Sequence, residues 1–376
     1  MKVVVIGGGM VGAAAAVALA QQGHQVTVIE AGARAVSEGD WDLRISSIHQ
    51  QNVDWLVKLG TWPYIRAERR FPYTGLSVQS MDGVRVDFSH QDAGTPALGA
   101  MVENKALQAA LWQQLIERQV PVYEKTSVVD YQFDQQQVTL TNGDQLNYDL
   151  LIGADGTQSH VAKAARIGYR GWDYDMRCLL AIAEVEHEVA ATTWEIFRPQ
   201  GPYALLPLGA HRVCLIDYRS EREWQELLAL PEAELYQLLE AQFAPHIGSH
   251  RVLSHGSFPL RRQRALSYHA YQSVVLMGDA AHAIHPLAGQ GVNLGFTDVQ
   301  ELVHQVCQLP LAQALTNYEQ RRVSANQRMM RAMDMIHFGF CSQHVLPRGL
   351  VALGLQSVRH ITPLKRALVL RAIGYA

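Results

Sequence analysis

Apolar positions fall into distinct textures along the chain. Four short, unbroken runs, Lys2-Val3-Val4-Val5-Ile6, Gln25 to Ile29, Tyr148 to Ile152 and Ser273 to Met277, have the length and composition of strands buried in a parallel sheet. Between the first two, Ala13 to Ala20 reads as a helix of small residues closed by Gly23. Residues 31–46 read as loop. Helical spacing then predicts helices over Ser47–Leu59 (Ile48, Val53, Leu56, Leu59), about Asn104–Gln119 and about Val292–Val306. A hairpin is expected over Leu76–Phe88 around Asp82-Gly83. Further strands are expected at Val120–Tyr123, Ser127–Phe133 and Val138–Leu140, with a turn at Asn142-Gly143. From about Arg170 to His269 the texture changes to alternating pieces at Leu179–Val185, Trp194–Phe197, Ala204–Leu206 and Arg212–Tyr218, with a helix near Pro231–Phe243. That pattern predicts an antiparallel sheet.

The fold class that follows is α/β: a domain of Rossmann-like topology on a parallel sheet, a second domain on an antiparallel sheet, and C-terminal helices. The first domain is discontinuous, over residues 1–70, 98–169 and 270–330. The second takes 71–97 and 170–269, and 331–376 forms the helical segment.

Composition narrows the class. The chain has 376 residues, 48% hydrophobic and 18% charged, with net charge −3, enough for two cores and without the positive excess of a nucleic-acid binder. Cys178, Cys214, Cys307 and Cys341 lie far apart without C-x-x-C spacing, as in a reducing cytoplasm. No window has the uncharged apolar length of a membrane-spanning helix. Lys2 and the alanine-rich run that follows could be read as a secretory leader, but glycines in register and the continuation through Gln25–Glu30 argue against it.

The chemistry starts at the first strand's end. Gly7-Gly8-Gly9-Met10-Val11-Gly12 fits G-x-G-x-x-G between strand and helix. Gly7 makes the tight turn, Gly9 lets backbone approach a pyrophosphate, and Gly12 lets helix and strand pack closely. The helix N-terminus offers free N–H groups. Glu30, at the end of the second strand, is placed to accept from a ribose diol. Two more glycine/acid turns follow strands, Gly153–Gly156 with Asp155 and Gly278-Asp279. One ligand touching all three must be long, as a flavin dinucleotide is. The last turn runs on as His285-Pro286-Leu287-Ala288-Gly289-Gln290-Gly291-Val292-Asn293-Leu294-Gly295, a glycine-rich loop opening a helix. Partial positive charge there suits the anion of a reduced isoalloxazine.

With these motifs in place, the sequence resembles the aromatic-ring hydroxylase class of flavoproteins, which share the fold of p-hydroxybenzoate hydroxylase. Within it the resemblance is to the ubiquinone-biosynthesis hydroxylases, on the demethoxyubiquinone hydroxylase side. It is carried by GGGMVG, DLRISSI with Arg44, MVEN at Met101–Asn104, LIGADG, Gly201–Leu208 and GDAAHAIHPLAGQGVNLG at Gly278–Gly295, and spans nearly the whole chain. The resemblance implies FAD as cofactor, with Glu30 on the adenosine ribose and Arg44 near the dinucleotide. Asp155 would lie in a motif shared between flavin and pyridine-nucleotide contacts, Asp279 on the ribityl/pyrophosphate part, and Gly289 to Asn293 against the flavin ring. Met10, Val11, Ala31, Asn104, Val128 and Pro286 complete the expected cofactor shell. It further implies dioxygen, a polyprenyl quinol or phenol as substrate, and oxygen transfer through a flavin hydroperoxide. A reduced nicotinamide (NADPH or NADH) is the implied donor. Two positions depart from the family pattern: Ala162-Lys163 follow Ser159-His160-Val161 where an Arg is usual, and Asn104 stands where many relatives have Arg. Both bear on nicotinamide docking.

No residue announces itself as a catalytic base; Glu195 and Tyr203 are candidates for lining the substrate domain. His282 and His285 have H-x-x-H spacing, but two ligands beside Pro286 make a poor metal site, and no metal is expected. The halogenase signature is missing, since Trp194 is followed by Glu195-Ile196-Phe197-Arg198-Pro199, and no second G-x-G-x-x-G follows a strand. A flavin-retaining scaffold within a quinone-synthesis assembly is the non-enzymatic alternative, and another small aromatic the alternative substrate. After Asp334 there is no acidic residue, while Arg348, Arg359, Lys365, Arg366 and Arg371 alternate with apolar positions. Such a tail over 335–376 can lie on an anionic membrane face or cap the protein and contact a partner. The expected location is cytoplasmic, peripheral on the inner membrane face, with oligomeric state open.

Overall fold

The computed structural model describes residues 1–37, 39, 41–284, 289–341 and 344–375. Its organising element is a six-stranded sheet in the order His269–Ala270, Val274–Leu276, Leu150–Gly153, Lys2–Ile6, Gln25–Ile29, Val122–Tyr123. All neighbours are parallel except the short edge strand His269–Ala270. Val5 sits between Val28 and Ile152 in register, and all three are fully buried. Burial on both faces explains why these strands read as continuous apolar runs. The helix Met10–Gln21 is covered by the helices Asn104–Glu117 and Gln290–Gln308. Its alanines from Ala13 to Ala18 are buried, and their small size lets those neighbours approach.

A second sheet has eight strands in the order His282–Ala283, His250–Ala265, Tyr169–Val185, Arg212–Ser220, Tyr203–Gly209, Thr192–Ile196, Gly75–Gln79, Arg85–Ser89. The Leu76–Phe88 hairpin forms its edge, as expected. The expectation of a purely antiparallel sheet needs one correction: Thr192–Ile196 runs parallel to Gly75–Gln79, because the hairpin is inserted from the first hundred residues. One face of this sheet packs on the helices Glu221–Leu228 and Glu232–Ile247 through Leu179, Leu215, Trp224 and Phe243. The opposite face, with Cys178, Leu180, Cys214 and Tyr218, meets a three-stranded sheet of Ile45–His49, Gly99–Glu103 and Arg70–Tyr73.

Two readings of the sequence are corrected here. Ile48 belongs to the strand Ile45–His49, paired with Ala100, and the helix begins only at Gln50. Residues 45 and 46, read as loop, lie in the same strand. The strand His250–Ala265 was not foreseen, because His, Arg and Ser crowd it and its faces are mostly half-exposed. It exists by pairing along nearly the whole length of Tyr169–Val185.

The tail forms the helices Leu311–Cys341, Val345–His360 and Thr362–Ala372. Val369 and Ile373 pack against the inter-sheet core, and Lys365 pairs with Asp92 at 2.9 Å. Capping is therefore part of the tail's role. Among the described residues no helix is long and apolar enough to cross a membrane.

Candidate functional site

Strand order decides where chemistry gathers. Four adjacent parallel strands, Val274–Leu276, Leu150–Gly153, Lys2–Ile6 and Gln25–Ile29, end on one edge. Their ends carry, in that order, Gly278-Asp279, Ala154-Asp155-Gly156, the Gly7–Gly12 turn and Glu30. At roughly 4.8 Å between strands this is a row about 15 Å long. It lies at the carboxyl ends of parallel strands, where such sheets bind extended ligands.

The glycine turn is fixed by close contacts. A Cβ at Gly12 would lie 1.9 Å from the Gly7 carbonyl oxygen, and one at Gly7, whose φ is +102°, would lie 2.4 Å from that of Ala154. At Gly9 a Cβ would meet nothing within 4 Å. Gly7 and Gly12 thus serve the protein, and the space beside Gly9 is open to a ligand. From behind, Trp112 Nε1 and Gln108 Nε2 donate to the Gly8 carbonyl at 2.7 and 2.9 Å. Met10 packs on the core, and Val11 packs against Gly278 and Gly295, tying the first turn to the third. Glu30 accepts from the N–H of Gly8 at 2.6 Å and of Gly32 at 2.7 Å, bridging two loops past the exposed Ala31. Each carboxylate oxygen keeps a lone pair for a further donor. Val128 follows Thr126, whose N–H donates to the Glu30 carbonyl at 3.0 Å, and so borders the same end.

Asp155 Oδ2 accepts from the N–H groups of His160 (2.7 Å) and Val161 (3.2 Å), capping the short helix His160–Ala164. Its Oδ1 is buried without a donor among the described residues. Arg44 is exposed, and its guanidinium has no partner among the described residues. Its carbonyl accepts from the N–H of Asn104 at 2.9 Å, at the start of the helix that carries Gln108 and Trp112. Asn104 Oδ1 accepts from Ser46 Oγ at 2.6 Å, while Glu103 beside it holds Arg69 at 2.9 Å.

At the row's other end, solvent reaches the Asp279 side chain while protein atoms crowd it from the remaining sides. Burial pushes its carboxyl above the usual value, against the pull of His282. Gly289, at φ +62°, opens the helix Gln290–Gln308, and a Cβ at Gly291 would meet nothing within 4 Å. Val292 is half-buried beside it. Asn293 differs from expectation, because its side chain is saturated by protein. It donates to the carbonyls of Ser47 (2.7 Å) and Gly289 (3.0 Å) and accepts from the His49 N–H and Asn52 Nδ2, each at 2.9 Å. Asn293 locks the helix start to the strand Ile45–His49 and is left only its backbone for a ligand. Pro286 and His285 lie outside the described residues.

Beneath the Gly278 turn is a cluster that no sequence motif announced. Asp298, fully buried, takes His282 Nε2 at 2.6 Å and the Gly278 N–H at 3.0 Å on one oxygen, and Arg322 Nε at 2.6 Å on the other. Arg322 also reaches Asn326 Oδ1 at 2.8 Å. Burial alone would raise the Asp298 carboxyl, yet His282 and Arg322 hold it at about 2. The only hint in the sequence is an acid within an otherwise apolar helix face (Leu294, Val299, Leu302).

His49, buried next to this helix start, has its imidazole lowered by burial from the usual 6.5 to about 4. The unfolded chain therefore binds that proton between pH 6.5 and 4 while the folded chain does not. Stability should be complete above pH 6.5 and fall as pH drops through this window, by at most about 1.4 kcal/mol per pH unit. Melting curves against pH check this, and His49→Phe should flatten that part of the profile.

The row fits an extended dinucleotide: open backbone at Gly9 and Gly291, an unpaired Arg44, a buried Asp155 acceptor without a donor, and two helix N-termini aimed at it. The family model of the FAD binding domain matches residues 1–333. The chain belongs to this FAD-binding family. It is 36% identical to the 3-demethoxyubiquinol 3-hydroxylase of Escherichia coli K12, covering 99% of this chain and 98% of that protein. It is 32% identical to the ubiquinone hydroxylase UbiL of Rhodospirillum rubrum, over 99% and 89% of the two chains. Among solved structures, p-nitrophenol 4-monooxygenase PnpA from Pseudomonas putida DLL-E4 superposes with TM-score 0.82 at 16% identity, covering 99% and 97%, which shows a common fold. FAD is the cofactor of this flavoprotein family, and the α/β fold with a second sheet and C-terminal helices is the one expected.

Proposed function

We propose that this chain is an FAD-dependent monooxygenase that hydroxylates the ring of a polyprenyl benzoquinol or phenol in ubiquinone biosynthesis, using dioxygen. The observation that carries the reading is the full-length likeness to the E. coli 3-demethoxyubiquinol 3-hydroxylase, 36% identical over 99% of this chain and 98% of that protein. Bound FAD supplies the reducing electrons and activates one oxygen atom of dioxygen for transfer to an electron-rich ring.

The protein's own part follows from the site. Gly7, Gly9, Met10, Val11 and Gly12 would hold the pyrophosphate through backbone, Glu30 with Ala31 and Val128 the ribose end, and Arg44 with Asn104 the phosphates from above. Asp155, Gly278 and Asp279 would take the middle of the cofactor. Gly289, Gly291, Val292 and Asn293 would present the positive end of the helix Gln290–Gln308 to the ring, favouring negative charge there. Asp298 and Arg322 keep the Gly278 turn from moving. Residues 71–97 and 170–269 are the substrate-holding part, where Met101, Cys178, Leu180 and Cys214 wall off water between the two sheets.

A prenylated substrate resides in membrane, and the tail is suited to meet it. Leu353, Ile361, Leu364 and Leu368 are exposed beside the cations Arg359, Arg366 and Arg371. The protein is read as peripheral on the cytoplasmic membrane face, within reach of a quinone-synthesis assembly. Replacing Leu353, Leu364 and Leu368 together by serine should reduce flotation with anionic vesicles about tenfold or more at unchanged melting temperature; unchanged flotation removes the tail from membrane binding.

Product analysis in a bacterial host lacking its own ring hydroxylases tests the activity. Accumulated demethoxyquinone should be converted to its hydroxylated product, whereas a flavin-binding scaffold would leave it untouched.

A further inference from the structure

One carboxylate on the inner face of the large sheet has no work in the fold. Glu195 lies in the strand Thr192–Ile196, in register with Ala204 on one side and Val78 on the other. Its neighbours in sequence, Trp194 and Ile196, point to the opposite face, where Trp194 stacks around Phe243 and Tyr203. Glu195 shares its face with Phe197, which packs with Val78 under Met329, Met333 and Ile336 of the helix Leu311–Cys341. Across the sheet the same face carries Cys214, Tyr218 and Cys178. Glu195 makes no hydrogen bond or ion pair with any described residue, and it is only partly buried.

A run of contacts leads from the ring-binding end toward this cluster. Ser47, whose carbonyl is held by Asn293 and whose Cβ faces Gly289, donates from Oγ to Tyr73 OH at 3.0 Å. Tyr73 packs in the same apolar cluster as Tyr218 and Cys178, and both of these feel the Glu195 charge.

Resting on the function proposed above, we infer that Glu195 is a catalytic residue that takes the proton of the substrate's ring hydroxyl. The O–H bond breaks, its electron pair stays on the ring oxygen and enriches the ring carbons for attack, and the proton bonds to a carboxylate oxygen. When the hydroxylated ring regains aromaticity, the carboxyl returns that proton to the same oxygen and the carboxylate is restored. No added oxidant or reductant enters this step.

The electrostatics are consistent with that task. Burial pushes the Glu195 carboxyl up to about 8, close enough to a phenol's ordinary value of about 10 for proton sharing. The other titratable groups around it are either raised by burial or already engaged by protein partners. Burial raises the thiol of Cys214 to about 12 and that of Cys178 well above its usual value, along with the phenols of Tyr218 and Tyr73. From the neighbouring sheet, Glu103 is paired with Arg69, and from the covering helix Asp334 is held by Arg262 at 3.1 Å and Tyr174 at 2.8 Å. Asp217 with its arginines lies on the opposite face.

The test compares FAD-loaded wild type with Glu195→Gln and Glu195→Asp on 2-prenyl-3-methyl-6-methoxy-1,4-benzoquinol. Product, peroxide, melting temperature and FAD affinity are all measured. Glu195→Gln should lower kcat about 10²-fold or more with KM within about threefold, divert reduced oxygen to peroxide, and abolish a rise of kcat/KM through about pH 8. Glu195→Asp should restore part of kcat, FAD affinity should be unchanged in both, and Glu195→Gln should raise rather than lower the melting temperature near neutral pH, because it removes a carboxyl whose ionisation the fold opposes. Wild-type kcat and pH profile in Glu195→Gln overturn the assignment. If wild type hydroxylates no quinol, the substrate reading fails instead, and Glu195 is judged by the ionisation curve of bound 2-methoxy-4-nitrophenol. That curve should shift between wild type and Glu195→Gln, and coincident curves overturn the assignment.

Discussion

Asp298→Asn is expected to destabilise the protein by about 3–5 kcal/mol, the cost of breaking a buried charge pair by removing one partner. The variant leaves Arg322, whose side chain is 7% exposed, with no counter-charge, and His282 with no carboxylate. It also weakens the anchor of the Gly278 N–H, so FAD retention should fall along with stability. Denaturant unfolding with and without added FAD measures both. The wild type carries a pH signature of the same interaction. Asp298 titrates near 2 in the fold against an ordinary 3.8, so its contribution is present above pH 3.8 and is lost as pH falls toward 2. That loss lies well below the His49 window, so two separate acid-sensitive phases are expected, and the lower one should vanish in Asp298→Asn.

A pair of glycine substitutions separates what the first turn does for the fold from what it does for the ligand. A Cβ at Gly12 would lie 1.9 Å from the Gly7 carbonyl, so Gly12→Ala must push the helix away from the strand. It should lower both the stability of the ligand-free protein and FAD affinity. Gly9→Ala meets open space, and Gly9 has φ −65°, ordinary for any residue. The ligand-free protein should keep its melting temperature. FAD affinity should nonetheless fall about 10²-fold, some 2.7 kcal/mol, because the methyl occupies the space a pyrophosphate needs. Equal FAD affinity in Gly9→Ala and wild type would mean that the pyrophosphate does not lie there.

How much of this was legible in the sequence depended on whether the signal was local. The buried parallel strands announced themselves because burial on both faces demands unbroken apolar runs. The Asp82-Gly83 and Asn142-Gly143 turns were legible because positive φ demands glycine, and Gly83 and Gly143 have φ +77° and +89°. The three glycine/acid sites, the first turn with Glu30, Asp155 and Asp279, were placed on one edge by strand type alone, and strand order puts them there. What failed was non-local. Ile45–His49 is a strand only because Gly99–Glu103 and the start of the helix Gln290–Gln308 lie beside it, and no periodicity in five residues reveals that. His250–Ala265 takes its conformation from Tyr169–Val185, a partner far upstream in the chain. The Asp298 cluster joins residues 282, 298, 322 and 326, each unremarkable in its own segment. Asn293 was recognised as a site residue, but only the structure reveals that its side chain serves the scaffold. Glu195 was visible as a candidate, yet its lack of a partner among the described residues became visible only when the sheet face was assembled.

The most direct test of the account supplies the FAD-loaded protein with a reductant, 2-prenyl-3-methyl-6-methoxy-1,4-benzoquinol and ¹⁸O₂, and follows the product by mass spectrometry. The account predicts a quinol heavier by one ¹⁸O atom, in amounts tracking the reductant consumed. Stoichiometric peroxide with unlabelled, unchanged quinol would contradict it.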